Sequence, residues 1–146
     1  MEESKKIIVR CRAVIIHEGK MLVVKHAHDA SFTAFPGGKL EYGEGVVECM
    51  ERELTEELGV RPDVGRLLYV RSFINTDGVQ SIEFFFEIKN GADYTNTEEL
   101  ARTHAHEISE IIWVDKNNNL RILPEQIAND FKTDKILSNE TRIVKN

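Results

Sequence analysis

Cysteine is scarce in this chain of 146 residues: Cys11 and Cys49 are the only two, and neither stands in a C-x-x-C or other metal-like spacing. That argues against a disulfide framework and against a thiolate metal site, and leaves two free, buried thiols as the expectation. Proline is nearly as rare, at Pro36, Pro62 and Pro124. No Pro/Ser-rich linker, low-complexity segment or internal repeat interrupts the chain. Residues 1–146 are therefore expected to form one domain around one core, with 138–146 as a flexible tail. Basic tracts are absent and the net charge is -6, which disfavours long nucleic acid, whose binding rests on neutralising many phosphates. A small phosphorylated ligand stays open, because a divalent metal can bring the positive charge. Apolar runs are too short to span a membrane, and no charged-then-apolar leader opens the chain. A cytoplasmic location with no membrane partner is the resulting expectation.

Periodicity outlines an α/β protein. Ile7 to His17 is rich in β-branched residues and reads as a strand. Glu18-Gly19-Lys20 turns it back into a second strand, Met21 to His26. Ala27 to Ala34 is polar and reads as loop. Phe35-Pro36-Gly37-Gly38 reads as a tight turn, with a short strand after it from Lys39 to Tyr42. The helical stretch runs from about Val46 to Leu58, with Val47, Met50, Leu54 and Leu58 on one face and Gly59 placed for a left-handed cap. Arg66 to Ile74 and Ser81 to Lys89 form a hairpin around Asp77-Gly78. Asn90 to Ser109 is a long polar stretch of the kind that carries function. A strand, Glu110 to Asp115, follows. A second helix begins at Leu123-Pro124, with Ile127, Phe131 and Ile136 on its buried side.

Negative charge is concentrated in Gly38 to Val60, GKLEYGEGVVECMERELTEELGV. Glu53, Glu56 and Glu57 occupy about one helical turn, on a stripe roughly 100° wide beside the apolar face. Such carboxylates repel unless a cation sits on them. Their i, i+3 and i+4 spacing brings oxygen ligands toward one spot, and hard divalent cations such as Mg²⁺ take oxygen ligands. A metal so placed stabilises charge on a phosphoryl group and lowers the pKa of a bound water. Arg10 and Arg12 alternate along the first strand and share a face; their guanidinium forks suit phosphate, as sheet-surface charge also would. Arg71 has a weaker form of the same case. Phe35, Phe73 and Phe84-Phe85-Phe86 are read as core packing before base stacking.

The segment fits G-x5-E-x7-R-E-U-x-E-E-x-G-U, with U a bulky aliphatic, at every fixed position. At ordinary residue frequencies a chance match is about one in a million or rarer. On this motif the chain closely resembles Nudix hydrolases, the MutT family. Looser likeness extends to Arg12-Ala13-Val14-Ile15, Phe35-Pro36-Gly37-Gly38 and Ile111-Ile112-Trp113-Val114. The resemblance implies an α/β/α sandwich with a mixed sheet between helices. It implies Mg²⁺-dependent (or Mn²⁺-dependent) hydrolysis of a nucleoside diphosphate linked to another group, by attack of water on phosphorus. It makes Glu53, Glu57 and Glu56 metal ligands, with Glu44 a weaker contributor and the Gly37 carbonyl a backbone ligand. It makes Arg52 the partner that orients a glutamate, foremost Glu53. Gly38 and Lys39 become candidates for holding a phosphate beside Arg10 and Arg12. The catalytic base is left among Glu53 and Glu56 in the motif and Glu98, Glu99 and Glu107 in the long polar stretch, where His104 and His106 also lie; His26 and His28 precede the turn. Many relatives form dimers, so a homodimer is an expectation with no interface signature behind it.

Substrate marks lie outside the motif. The proline expected some fifteen residues beyond it in ADP-ribose hydrolases is missing, and Ile74 to Gly78 lacks the tyrosine of dinucleoside polyphosphate hydrolases. The longer motifs of the NADH and coenzyme A groups are also absent. A nucleoside triphosphate or other small nucleotide is the first expectation, with ADP-ribose or a nucleotide sugar as the alternative. A non-catalytic nucleotide sensor is disfavoured because such proteins commonly lose the motif glutamates. Removal of 5′ pyrophosphate from RNA is disfavoured by the acidic balance.

Overall fold

The computed structural model describes residues 5–27, 29–101 and 108–144. Its strands are β1 (Ile7–His17), β2 (Lys20–His26), β3 (Asp29–Ala34), β4 (Gly37–Lys39), β5 (Val64–Ile74), β6 (Gln80–Ile88), β7 (Ile108–Val114) and β8 (Arg142–Val144). Its helices are α1 (Val46–Leu58), α2 (Thr97–Ala101) and α3 (Glu125–Lys132). The sheet runs β3-β2-β1-β6-β5-β8, with β4 also on β1 and β7 also on β2. Two pairings are parallel, β1 with β6 and β5 with β8; the others between strands are antiparallel, so the sheet is mixed.

Alternation along β1 explains why both sheet faces are covered. Cys11, Ala13 and Ile15 point to one face, where Met50, Leu54 and Leu58 of α1 and Leu100 of α2 join them. Val14 points to the other, with Phe85 of β6 and Ile127 and Phe131 of α3. Leu54 and Met50 are fully buried, and burial of such a side chain contributes roughly 1.5–3 kcal/mol. The expected α/β/α arrangement is therefore present. Helix α1 ends where its sequence says it should. The Gly45 N–H donates to Glu48 at its start, and Gly59 closes it in the left-handed region at φ 78. Its buried face differs from the expected one: Cys49 and Glu57 are inside, whereas Val47 is 45% exposed.

Four other local expectations need correction. The stretch Ala27 to Ala34 contains a strand, β3, because Thr33 and Ala34 turn inward and pair with the core despite polar neighbours. The strand near Gly38 is Gly37–Lys39 rather than Lys39 to Tyr42, since the glycines themselves pair with Arg12 and Cys11 of β1. The polar stretch after Asn90 is partly folded: Gly91–Tyr94 forms a 3₁₀ turn, and buried Tyr94 donates its hydroxyl to Val60 O at 2.8 Å. The tail expected over 138–146 contains β8, held by Arg142. That guanidinium donates to Asp130 Oδ2 at 2.9 Å, to the Tyr69 hydroxyl at 2.6 Å and to Lys135 O at 2.6 Å. A lone arginine gave no periodic signal, yet it ties β8, β5 and α3 together. Arg142→Ala is expected to destabilise the fold by about 2–3 kcal/mol, read from urea unfolding; a change under about 0.5 kcal/mol would mean that backbone pairing alone holds β8.

Candidate active site

Two side-chain-free residues shape the site. Strand β4 runs between β1 and α1, and a Cβ on Gly37 would lie 2.0 Å from the Cys11 carbonyl oxygen. Gly37 also has φ +141, a conformation that side chains rarely adopt. A Cβ on Gly38 would lie 2.4 Å from Glu53 Oε2, so the Glu53 carboxylate rests directly on bare backbone. One turn further along α1, Glu57 is 6% exposed and accepts the Gly37 N–H at 3.3 Å. The Ala13 N–H donates to Pro36 O and the Leu40 N–H to Val9 O, both at 2.8 Å, which fixes the strand on either side of the glycines.

Arg52 compensates the charge on this helix. It grips Glu44 with both arms, Nε to Oε2 at 3.0 Å and Nη2 to Oε1 at 2.8 Å. Nη1 reaches Glu53 at 2.8 Å and Glu56 at 3.2 Å, and Nη2 also donates to Lys39 O at 2.9 Å. The expected Arg52–Glu53 pair is present, but the bidentate partner is Glu44. These hydrogen bonds from Arg52, with the Glu41 backbone N–H second, pull the Glu44 pKa down to about 2. The folded pKa lies below the ordinary value of 4.5, so this stabilisation is present above pH 4.5 and is lost as pH falls toward 2. A difference curve of urea midpoints, wild type minus Glu44→Gln, is therefore expected to shrink across that window. A flat difference would sink the assignment.

A second set of charges lies on the sheet. Arg10 and Arg12 share the Val14 face of β1, as the alternation predicts. Glu83 of β6, 5% exposed, accepts Arg12 Nε on Oε2 at 3.0 Å and Arg71 Nη1 on Oε1 at 3.1 Å. Arg12 Nη1 also donates to Phe35 O at 3.4 Å and Gly37 O at 3.2 Å. Arg10 Nη1 donates to Ser81 Oγ at 2.9 Å; burial, then the neighbouring Arg12, hold its pKa below the ordinary value. The Arg71 guanidinium stacks 3.9 Å from the Phe73 ring centre.

Both sets open into one cleft of about 1320 Å³, lined among others by Glu53 and Glu57, Gly37 to Lys39, Arg10, Arg12, Arg71 and Glu83. Phe73 and the β5–β6 turn at Asn75–Asp77 form its far wall. Glu56 is not among the lining residues; its side chain is 54% exposed and turned to Arg52. Glu98 and Glu99 are exposed on α2, outside the cleft lining. Glu107, His28, His104 and His106 lie outside the described residues. Phe85 and Phe35 pack edge-on at 5.6 Å in the core, as expected, and border the cleft from there; Phe73 also lines it. The residue that sequence reasoning missed is Glu83. Its signal was there: a carboxylate in step with Phe85, next to the apolar run Phe84-Phe85-Phe86.

The donor set fits an oxygen-ligated divalent cation. Glu53 and Glu57 are hard carboxylates side by side on α1, and the glycine strip leaves room that a side chain would fill. Among the described residues no group of three acidic, histidine or cysteine side chains closes into a cage, which matches the diversion of Glu56 to Arg52. Backbone and substrate oxygens would have to complete the shell. Cys11 and Cys49 are buried free thiols.

A mixed sheet between helices, with this glutamate-bearing helix at its edge, matches the NUDIX domain family over residues 8–133, and the chain belongs to that family. Members generally use divalent metals and act on small nucleotides. The chain is 36% identical over 83 residues to an ADP-ribose pyrophosphatase of Methanocaldococcus jannaschii, covering 53% of this chain and 49% of that protein. The match thus spans about half of the relative's length. The fold is similar to a MutT NUDIX hydrolase from Burkholderia pseudomallei (TM-score 0.68, 20% identity, 85% of this chain and 96% of that one). It is equally similar to a MutT protein from Methanosarcina mazei (TM-score 0.68, 20% identity, 95% and 100%). An ADP-ribose pyrophosphatase from Streptococcus suis gives TM-score 0.62 at 18% identity, over 94% and 98%. At these identities the structural likeness establishes the fold. Among the described residues no helix is long and apolar enough to cross a membrane.

Proposed function

We propose that this chain is a divalent-metal-dependent pyrophosphohydrolase acting on a small nucleotide, foremost a nucleoside triphosphate, in the cytoplasm. One observation carries the reading: Glu53 and Glu57 reach past bare glycine backbone into a cleft whose floor carries Arg10 and Arg12. Anionic wall and cationic floor together suit a phosphate chain neutralised partly by metal and partly by protein.

In this reading Glu53 and Glu57 hold Mg²⁺ or Mn²⁺, with the Gly37 carbonyl nearby and Glu56 in support. Bound there, the cation supplies charge stabilisation on the phosphoryl oxygens and makes an attacking water more acidic. Arg52 keeps the carboxylates at a tolerable separation by sharing its protons among Glu44, Glu53 and Glu56. Arg10 and Arg12 bind phosphate oxygens, and the exposed Lys39 screens the entrance. Glu53 is the base candidate inside the cleft.

Arg10 favours the triphosphate. It is half-buried beside Arg12, donates to Ser81 and has Glu83 as a nearby counter-charge, but forms no direct ion pair among the described residues, so an added phosphate can pair with it directly. ADP-ribose is the second reading, favoured by the name of the Methanocaldococcus jannaschii relative. A hydrolysis panel with Mg²⁺ or Mn²⁺ separates them: nucleoside triphosphates, ADP-ribose, other nucleotide sugars and dinucleoside polyphosphates. Highest kcat/KM on a triphosphate supports the first reading, and highest on ADP-ribose the second. Nucleotide binding without product release throughout would make the chain a sensor.

A further inference from the structure

Glu83 is a buried carboxylate outside the glutamate-bearing helix. Stability alone does not account for it. A buried ion pair seldom outperforms apolar packing of the same volume, and the flanking residues in β6 are Ile82 and Phe84. What the carboxylate does is divide itself. One oxygen takes Arg12 at 3.0 Å, and the other takes Arg71 at 3.1 Å. Arg12 is gripped through Nε, which leaves the end of its fork beside the Gly37 carbonyl at 3.2 Å. Gly37 in turn donates its N–H to Glu57. Arg71 is held flat on Phe73. Arg10 lines the same cleft, so three guanidiniums gather beside Glu83, in a lining that also holds Lys39 and the carboxylates of Asp29, Glu53, Glu57 and Asp77.

We propose that Glu83 is a positioning residue: it fixes Arg12 and Arg71 as a binding floor for a phosphate beyond the scissile pyrophosphate, and so sets a preference for nucleoside triphosphates over nucleotide sugars. A terminal phosphate supplies the anion this floor faces, and a neutral sugar supplies none. The inference rests on the proposed triphosphate reading, so its test includes binding without turnover.

Glu83→Gln keeps the shape and removes the charge. It is expected to raise KM for a nucleoside triphosphate roughly tenfold with kcat within about threefold, and to weaken calorimetric binding of the same nucleotide to metal-free protein by a similar factor. KM for ADP-ribose, if turned over, should move less than about twofold. Because Glu83 acts in part through Arg12, the loss in the double variant Glu83→Gln/Arg12→Gln should be smaller than the product of the two single losses, the remainder passing through Arg71. Weaker binding with no turnover in any variant would sink the hydrolytic reading and leave this one standing. A lowered Tm with unchanged KM and unchanged affinity would make Glu83 merely structural and overturn it. So would tighter triphosphate binding, full additivity with Arg12→Gln, or wild-type protein that binds no triphosphate. Should Glu83→Gln fail to fold, Arg71→Met at the half-buried partner gives the same reading: a severalfold rise in triphosphate KM supports the proposal, and no rise overturns it.

Discussion

Glu57→Gln is expected to lower metal-dependent turnover of the best nucleotide substrate by roughly a thousandfold while the protein stays folded. Glutamine keeps the size of the side chain and can still accept the Gly37 N–H at its oxygen. It loses the charge that a hard cation needs. The side chain is almost fully enclosed, so no water or neighbouring carboxylate can readily replace it. Glu53→Gln belongs to the same class, because that carboxylate lies against Gly38 inside the cleft. Glu56→Gln should cost no more than about tenfold, since the side chain is over half exposed and turned to Arg52. Initial rates across a range of Mg²⁺ concentrations, with circular dichroism to verify folding, check the series. Turnover within about threefold of wild type for Glu57→Gln would remove it from the site.

The two glycines of β4 should fail in different ways. Gly37→Ala places a methyl group 2.0 Å from a backbone carbonyl and forces a side chain onto φ +141. Neither backbone can yield cheaply, so the fold should lose about 3 kcal/mol or more. Gly38→Ala instead meets the far end of a flexible side chain, the Glu53 carboxylate at 2.4 Å. Glu53 can swing away, so stability should change by less than about 1 kcal/mol while turnover falls roughly a hundredfold through misplacement of that one group. Urea unfolding and kcat measured on both variants separate the outcomes. Equal loss of stability with equal activity would mean that the glycines serve only the turn.

Much of this was legible because local and global requirements coincide. Helix α1 carries its apolar spacing, its capping residues and its functional glutamates in one continuous segment, so its limits and its chemistry could be read together. Alternation placed Arg10 and Arg12 on one face for the same reason that it placed Cys11 and Ala13 on the other. What escaped depends on partners distant in sequence. β3 is held in part by Thr33, which donates its N–H to Arg121 O at 2.8 Å, a contact that no local pattern announces. β8 is only three residues long and is secured by Arg142 on Asp130 and Tyr69. Glu83 acquires its meaning from Arg12, 71 residues earlier. The convergence of Glu53, Glu56 and Glu57 that helical spacing suggested is only partial, because Arg52, one residue before the first of them, competes for two of the three.

The central claim is that the α1 carboxylates form a cation site opening through the glycine strip into the arginine-floored cleft. Mn²⁺ titration followed by electron paramagnetic resonance, with and without a nucleoside triphosphate, tests it most directly. The account predicts saturable Mn²⁺ binding that tightens when the nucleotide is present and weakens by at least about tenfold in both Glu57→Gln and Gly38→Ala. Mn²⁺ binding of equal strength in wild type and both variants would contradict it.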